Sequence, residues 1–263
     1  MSVGEQKWPD CLWIVRHGES SGNVARRLAY ESGLALIDVP ERDVDVPLSG
    51  LGEQQARALG HWFGRLPPEQ RPTAVRTSPY VRAVTTAELI CAEAGLDVED
   101  LSFIRDERLR EKEFGILDRY TRDGIGEHYP EQAALRLRLG KFYHRPPGGE
   151  SWCDVILRLR SVLDTISLHH AEPESRVLIV AHQVIVLCLR YLIEEMTEEQ
   201  ILAIDREIDV ANCGVTEYAR ASRAGAPGEE ETGLRLVRYN FVAPLEDAGA
   251  TVTASPDAVA APR

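Results

Sequence analysis

Two short apolar runs, each ended by a histidine, place the strongest constraint on how this chain can fold. The first run, Cys11–Val15 (CLWIV), is followed by Arg16-His17, and the second, Arg176–Ala181 (RVLIVA), is followed by His182. Short runs that are almost wholly apolar are typical of strands buried on both faces of a parallel sheet. The carboxyl ends of parallel strands meet at one edge of the sheet, where ligands bind. We therefore expect His17 and His182 to lie close together.

Helical and strand-like segments alternate along the rest of the chain. Apolar residues at helical spacing predict helices, and short runs of β-forming residues predict strands. The predicted helices cover 51–63, 78–92, 151–168 and 184–193, the second starting at Ser78-Pro79, and further predicted strands cover 74–77, 214–219 and 234–240. This alternation predicts an α/β fold, a doubly wound, mostly parallel sheet flanked by helices in a single domain.

Three stretches fall outside this regular pattern. We assign the domain to residues 8–243, with a Gly-, Ala- and Glu-rich loop at 221–232. The Ala-, Thr- and Pro-rich stretch 244–263 is predicted to be a disordered tail. Residues 26–46 form an insertion expected near the site entrance. It is either a flap that shapes the substrate pocket or a loop without that role.

The net charge and the spacing of the cysteines indicate which partners and which cellular compartment to expect. The 263 residues carry a formal net charge of -12, which argues against a nucleic-acid partner, because a phosphate backbone requires a basic face. No run of about 18 apolar residues and no secretory signal is visible, so we expect no membrane partner and a cytoplasmic location. The five cysteines are scattered without a CxxC spacing, which favours reduced thiols over disulfides or a zinc site. A homodimer through an edge strand is compatible with the sequence.

The residues after the first strand combine the groups that phosphate chemistry requires. In Arg16-His17-Gly18-Glu19-Ser20, a guanidinium and an imidazole precede a glycine that lets the backbone approach a ligand. Arginine offers a planar fork that matches phosphate oxygens, and Asn23 follows as a neutral donor.

This segment resembles the signature of the histidine phosphatase superfamily, also called the phosphoglycerate-mutase-like family. Further similar segments follow in the family's order: Leu48-Ser49 with Gly52, Thr77-Ser78 with Arg82-Ala83 and Thr86-Ala87, Leu109-Arg110-Glu111 with Phe114-Gly115, Gly149-Glu150-Ser151, and Val180-Ala181-His182. The matches extend over roughly residues 11–219. Chance agreement in that order is implausible.

The resemblance implies a role for each matching residue. His17 would attack phosphorus and become a phosphohistidine. Arg16, Arg82 and His182 would neutralise the equatorial oxygens of the transferred group, and Asn23 would add a neutral hydrogen bond. No cofactor and no metal are expected. The substrate would be a small phosphorylated metabolite such as a sugar phosphate.

The general acid is assigned to Glu111 by the family's spacing, with Glu113 as the alternative. Both lie in Arg110-Glu111-Lys112-Glu113, and in an extended segment the two carboxylates would share one face. Glu113 would then raise the proton affinity of Glu111 instead of replacing it.

Two branches of the family compete for the reaction. Phosphoglycerate mutases continue the histidine motif with elements that Val24–Val46 lacks, which favours hydrolysis and leaves mutase-type transfer as the alternative. Other segments are similar to the fructose-2,6-bisphosphatase domain and make Tyr129, Arg145 and Gln183 candidate contacts to a distal substrate group. Two basic residues expected in that branch are Gly148 and Leu187 here.

A catalytically silent phosphoryl-binding module is the second alternative, because fold does not guarantee activity. A silent relative usually lacks the nucleophile or the acid, and this chain has both. The remaining five histidines, His144 among them, are expected at the surface or in loops.

Overall fold

One mixed sheet lies at the centre of the computed structural model, which describes residues 7–99, 101–172, 174–224 and 230–255. Within those ranges the strands are β1 (Cys11–Arg16), β2 (Ala74–Thr77), β3 (Ser102–Arg105), β4 (Arg176–Ala181), β5 (Val215–Ala224) and β6 (Glu230–Phe241). Their order across the sheet is β3-β2-β4-β1-β5-β6. The first four in this order pair in parallel, and β5 and β6 join antiparallel. The predicted mostly parallel sheet is confirmed.

Helices cover both faces of the sheet, as the alternating sequence pattern predicts. They are α1 (Ser21–Glu31), α2 (Gly50–Arg65), α3 (Val81–Ala94), α4 (Arg122–His128), α5 (Pro130–Tyr143), α6 (Trp152–His169), α7 (Gln183–Ile193), α8 (Glu198–Glu207) and α9 (Ala243–Asp247). Leu12 and Ile14 of β1 pack in one core with α6 and α7. Trp13 and Val15 pack in the other core with α2 and α3. Because both faces are covered, the strand shows no polar alternation.

The pairing of β1 with β4 fixes where the two histidines leave the sheet. The strands run in parallel register from Cys11 opposite Arg176 to Arg16 opposite Ala181. The His17 amide continues this ladder by donating to the Ala181 carbonyl oxygen at 2.9 Å. His17 and His182 therefore emerge side by side at one edge of the sheet.

The prediction of a disordered tail over 244–263 is wrong for residues 244–255. Ala243–Asp247 form α9, and the following segment packs against the domain. The Gln55 side chain donates to the Thr251 carbonyl oxygen at 2.8 Å, and the Asn212 amide donates to that of Thr253 at 2.8 Å. These backbone hydrogen bonds order a segment whose composition offers few apolar residues. Residues 256–263 lie outside the described part of the chain.

Two predicted boundaries also differ from the structure. The loop expected at 221–232 is shorter in the structure. Strand β5 continues through Ala224 and β6 begins at Glu230, so the antiparallel ladder is longer than expected. Residues 225–229 lie outside the described chain. Helix α3 begins at Val81 instead of Ser78. The Ser78 hydroxyl oxygen accepts from the Tyr80 amide at 3.3 Å and belongs to the loop before the helix.

Two further expectations concern disulfides and membrane-spanning helices. All five cysteines lie within the described residues, and none of them forms a disulfide. Among the described residues, no helix has the length and apolarity needed to cross a bilayer.

Two glycines allow the loop after β1 to pack directly on the first turn of α2. A Cβ on Gly52 would overlap the Glu19 carbonyl oxygen, and a Cβ on Gly18 would lie 2.5 Å from the Gly52 carbonyl oxygen. The two backbones therefore approach at a distance that only glycine permits. Gly50 lies in the same helical turn, where an added Cβ meets no atom within 4 Å.

We expect Gly52→Ala to lower the free energy of unfolding by about 2 kcal/mol, because the overlap involves backbone that cannot move aside cheaply. Activity should fall as well, since the displaced loop carries His17. Gly50→Ala is the matched control and should change stability by no more than about 1 kcal/mol. Urea denaturation of both variants tests this. Equal stability of the two variants would contradict the assigned packing.

Candidate active site

The structure brings His17 and His182 together at the carboxyl edge of the sheet. Their ring centroids lie 5.1 Å apart, with an angle of 66° between the ring planes. Both side chains are buried, and they lie at the ends of β1 and β4, respectively. The convergence expected from the two apolar runs is therefore present.

The hydrogen bonds of His17 select one tautomer of its ring. Nδ1 lies 2.7 Å from the Gly18 carbonyl oxygen, which can only accept, so Nδ1 carries the proton. The Arg82 Nε–H donates to Nε2 at 3.3 Å. Nε2 therefore keeps its lone pair and is the nitrogen that faces the pocket arginine.

His182 links the second strand end to two other elements. Its Nε2 lies 2.8 Å from the Ser78 hydroxyl oxygen, in the loop between β2 and α3. Its Nδ1 lies 3.9 Å from a carboxylate oxygen of Glu111. The ring is completely buried, so these neighbours fix its orientation.

Burial and the surrounding cations keep both imidazoles neutral. The pKa of His17 lies well below 6.5, first because the ring is buried and then because Arg82 and Arg16 are close. The pKa of His182 is lowered for the same reasons, burial first and then Arg82, with His17 and Arg16 contributing less. A neutral ring with a free lone pair is what a nitrogen nucleophile requires.

Arg16 and Arg82 are held by different parts of the chain. Arg16 donates to the carbonyl oxygens of Val210 at 2.5 Å and Ser255 at 3.3 Å. Arg82 donates from its terminal nitrogens to the backbone oxygen of Asp43 at 2.5 Å and to its carboxylate at 3.2 Å. Both guanidinium groups are almost completely buried. Positive charge is thus concentrated at one point of an acidic protein.

Asn23 hydrogen-bonds the loop after β1 and also lines the pocket. Its amide oxygen accepts from the Ser20 amide at 3.0 Å, which completes the capping box at the start of α1. Asn212 donates to the His17 carbonyl oxygen at 3.0 Å and to the Asn23 amide oxygen at 3.4 Å. Since the Asn23 oxygen is engaged, its NH₂ group is the donor suited to a phosphate oxygen.

The two glutamates considered for the general acid have separate positions. Glu111 lines the pocket, whereas Glu113 does not. The Glu113 carboxylate instead accepts from the Tyr80 hydroxyl at 3.1 Å and is about half exposed. The segment that contains both glutamates is not a strand, so the shared face expected for them is absent.

The pocket has a cationic floor and a mixed outer wall. Its lining comprises Arg16, His17, Ser20, Gly22, Asn23, Arg26, Asp43, Val46, Arg82, Glu111, Phe114 and Asp118. The insertion therefore contributes to the site, since Arg26, Asp43 and Val46 belong to it. His17 and Arg82, whose Nε2 and Nε atoms lie 3.3 Å apart, both belong to this lining.

The three candidate contacts to a distal substrate group do not line this pocket. Arg145 is exposed and forms a bidentate ion pair with Asp154, in which Nε donates at 2.7 Å. Tyr129 packs with Tyr120, at 5.2 Å between ring centroids. Gln183 is buried and donates to the Asp209 carboxylate at 3.3 Å.

Sequence reasoning missed several residues of the site. Asn212, Asp43 and Asp118 carry no motif that marks them, and each reaches the site from its own loop. Ser78 lies in the matched Thr77-Ser78 segment, but the sequence assigns it no role. His144 lies after α5, outside a helix or strand, as one of the two expected placements has it. Its ring is buried, however, so the expected surface exposure is wrong. Burial and the nearby Arg136 lower the pKa of His144.

Comparisons with known proteins identify the family of the chain. The sequence model described as the histidine phosphatase superfamily (branch 1) matches residues 12–226. The chain is 31% identical over 194 residues to 6-phosphofructo-2-kinase/fructose-2,6-bisphosphatase 1 of Bos taurus, which covers 73% of this chain and 34% of that protein. It is 29% identical over 193 residues to the 6-phosphofructo-2-kinase/fructose-2,6-bisphosphatase of Aquarana catesbeiana, with the same shares. The chain spans about a third of the length of these relatives.

Several solved structures share the fold. Mycobacterial hydrolase 1 is 26% identical with a TM-score of 0.66, covering 89% of this chain and 99% of that one. A mycobacterial glucosyl-3-phosphoglycerate phosphatase solved with VO₃ is 25% identical with a TM-score of 0.63, covering 88% and 99%. The phosphoglycerate mutase of Bacillus anthracis str. Sterne is 17% identical with a TM-score of 0.68, covering 93% and 99%. At that identity the likeness concerns the fold alone.

The neutral, buried histidines predict how stability depends on pH. Because their folded-state pKa values lie below 6.5, the unfolded chain binds more protons as the pH falls below that value. The free energy of unfolding should therefore reach its highest value above about pH 6.5 and should decrease as the pH falls below that value. His182→Asn removes one such group and should reduce the slope by about 1.4 kcal/mol per pH unit.

Urea denaturation between pH 5 and pH 8 measures these slopes. His128→Asn, which removes an exposed imidazole, is the control for losing a histidine. An identical slope for His182→Asn and the parent would contradict the assignment of His182 as buried and neutral.

Proposed function

The chain belongs to the histidine phosphatase superfamily, and from its pocket we propose that it is a phosphomonoester hydrolase acting through a phosphohistidine at His17. The arrangement around the His17 ring carries this proposal. Its Nε2 is unprotonated and lies 3.3 Å from Arg82 Nε, while Nδ1 is anchored on the Gly18 carbonyl oxygen. The nucleophilic atom and a cation for the phosphoryl oxygens are therefore adjacent.

In the proposed first step, His17 Nε2 attacks phosphorus in line with the leaving oxygen. Arg16 and Arg82 neutralise the charge on the equatorial oxygens, and the Asn23 amide donates a hydrogen bond to one of them. His182 does not line the described pocket; it is completely buried, with its ring 5.1 Å from the His17 ring and its Nδ1 3.9 Å from the Glu111 carboxylate. We propose that it supports the cradle from behind these two residues.

Glu111 is proposed as the general acid and base. Glu111 lines the pocket, and its carboxylate lies 3.9 Å from His182 Nδ1. It would protonate the leaving group in the first step and deprotonate the attacking water in the second. Glu113 lies outside the pocket lining, so the structure favours Glu111 for this role.

The proposed substrate is a small phosphorylated metabolite such as a sugar phosphate. Relatives named as phosphatases of sugar bisphosphates and of a glucosylated phosphoglycerate support this class. Mutase-type transfer to a substrate hydroxyl is the alternative reaction on the same phosphohistidine. A silent binding module is less well supported, because nucleophile, arginines and acid are assembled in one pocket.

His17→Ala should abolish turnover of p-nitrophenyl phosphate, by a factor of at least about 10⁴, because no other imidazole is among the described residues that line the pocket. Rapid acid-free quenching followed by mass spectrometry should detect a phosphorylated His17 in the parent only. His128→Ala, at an exposed position, is the control. Assays run with and without EDTA test the expected metal independence. Phosphate release by His17→Ala at a rate near that of the parent would refute the assigned nucleophile.

Glu111→Gln should slow hydrolysis of alkyl phosphates at least about tenfold more than that of p-nitrophenyl phosphate, because only the poorer leaving group requires a proton. Glu113→Gln makes the same chemical change outside the pocket and should leave this ratio unaltered. Steady-state kinetics with both substrates give the ratio. If Glu113→Gln shifts the ratio and Glu111→Gln does not, the acid is Glu113.

A further inference from the structure

The outer wall of the pocket is formed by the insertion, which is fastened to the segment before α4. The Thr121 amide donates to the Ala35 carbonyl oxygen at 3.0 Å, and the Ile37 amide donates to that of Arg119 at 2.8 Å. Leu36 and Tyr120 pair as an antiparallel bridge between these two hydrogen bonds. Of the two roles left open for the insertion, the structure favours a fixed wall that shapes the pocket.

Asp43 is the residue of this wall that contacts Arg82. Its carboxylate lies 3.1 Å from one terminal nitrogen of Arg82 and 3.2 Å from the other. The remaining nitrogen of the guanidinium, Nε, faces His17. A phosphoryl group on His17 therefore meets the Nε edge of Arg82, while Asp43 holds the opposite edge.

A second carboxylate stands beside Asp43 at the pocket mouth. Asp118 lines the same wall and is about half exposed. Burial and then the Asp43 carboxylate raise the pKa of Asp118, whereas Arg119 and Arg26 lower it. Two neighbouring carboxylates, those of Asp43 and Asp118, therefore contribute negative charge at the pocket mouth.

The charges of the lining leave no surplus for a second anionic group. Within the described lining, Arg16, Arg26 and Arg82 are offset by Asp43, Asp118 and Glu111. With Glu111 protonated as the general acid, the lining carries one net positive charge, less than the two negative charges of a phosphate dianion. A second anionic group on the substrate would therefore find no surplus positive charge in this lining and would lie near the Asp43 and Asp118 carboxylates.

Resting on the proposed function, we propose that Asp43 determines specificity and restricts the site to phosphomonoesters whose remaining part carries no second negative charge. Like charges brought together at the pocket mouth weaken binding. Hydroxyl groups can instead donate to the Asp43 and Asp118 carboxylates. The substrate class is therefore the monophosphate of an uncharged, hydroxyl-bearing molecule.

The test uses two substrates that differ only at the carbon farthest from the phosphate. Glycerol 3-phosphate ends in a hydroxymethyl group, and 3-phosphoglycerate ends in a carboxylate. The parent should hydrolyse glycerol 3-phosphate with a kcat/KM about tenfold higher or more. Asp43→Asn should reduce this ratio at least about threefold, chiefly because the carboxylate-bearing substrate then binds with a lower KM.

Asp45→Asn is the matched control, because it removes the same charge two residues away. The Asp45 side chain is 46% exposed and that of Asp43 47% exposed, but Asp45 pairs with Arg42 and does not line the pocket. The ratio should be unchanged in this variant. Asp118→Asn is a second variant at the mouth and should lower the ratio in the same direction, even if Asp43→Asn does not fold.

Each other outcome has a definite meaning. If Asp43→Asn accelerates both substrates equally, Asp43 competes with phosphate for Arg82 and does not select the substrate, which overturns the inference. Equal ratios in the parent and in the Asp43 and Asp118 variants overturn it as well. If the parent releases no phosphate even from p-nitrophenyl phosphate, the proposed function fails, and that result is distinguishable from a loss of selectivity.

Discussion

The parallel pairing of β1 with β4 is the interaction on which the rest of the site depends. Six residue pairs in register bring two chain segments far apart in sequence to the same edge of the sheet. Each strand ends in a histidine, so the ladder that builds the core also sets the distance between the two rings. A shift of one residue in this register would turn one of the rings away from the pocket. The apolar strands are therefore responsible for both the core and the geometry of the site.

Placing neutral imidazoles among guanidinium groups in a buried pocket has a cost that the surrounding backbone offsets. Arg16 loses hydration when it is buried, and the carbonyl oxygens of Val210 and Ser255 replace part of it. Ser255 belongs to the segment after α9, which also hydrogen-bonds Asn212 through Thr253. Asn212 in turn holds the His17 carbonyl oxygen. The C-terminal segment thus supports the nucleophile from behind, and its order is tied to the site.

The sequence was sufficient to predict the strand ends but not the loops that complete the site. His17 and His182 could be paired because strand periodicity and sheet topology determine where strands end. Arg82 and Glu111 could be assigned because their spacing resembles that of a family. Asp43 and Asp118 could not be assigned, since their positions follow from how two irregular segments pack against each other, which no local pattern encodes. The error over residues 244–255 has the same origin, because composition does not show which backbone groups find partners.

The similarity to a bisphosphatase domain does not carry over to every contact. Leu187, which replaces an expected arginine, is completely buried in the core between α7 and the sheet.

Gly148 adopts a positive φ of 73°, a conformation that favours glycine. Arg145 has the expected charge, but Asp154 holds it at the surface. At these three positions the chain lacks free positive charge for a second phosphate.

The catalytic floor and the outer wall come from different elements of the fold. Strand ends and the helices that follow them supply His17, Arg82 and His182, whereas the insertion supplies Asp43. The floor is fixed by the sheet, and a change in its register would destroy the core. The wall is held by backbone hydrogen bonds to the segment before α4 and by the ion pair of Asp43 with Arg82. Under the proposed function, the floor carries out phosphoryl transfer and the charge of the wall selects the substrate, with the ion pair between Asp43 and Arg82 as the link between them.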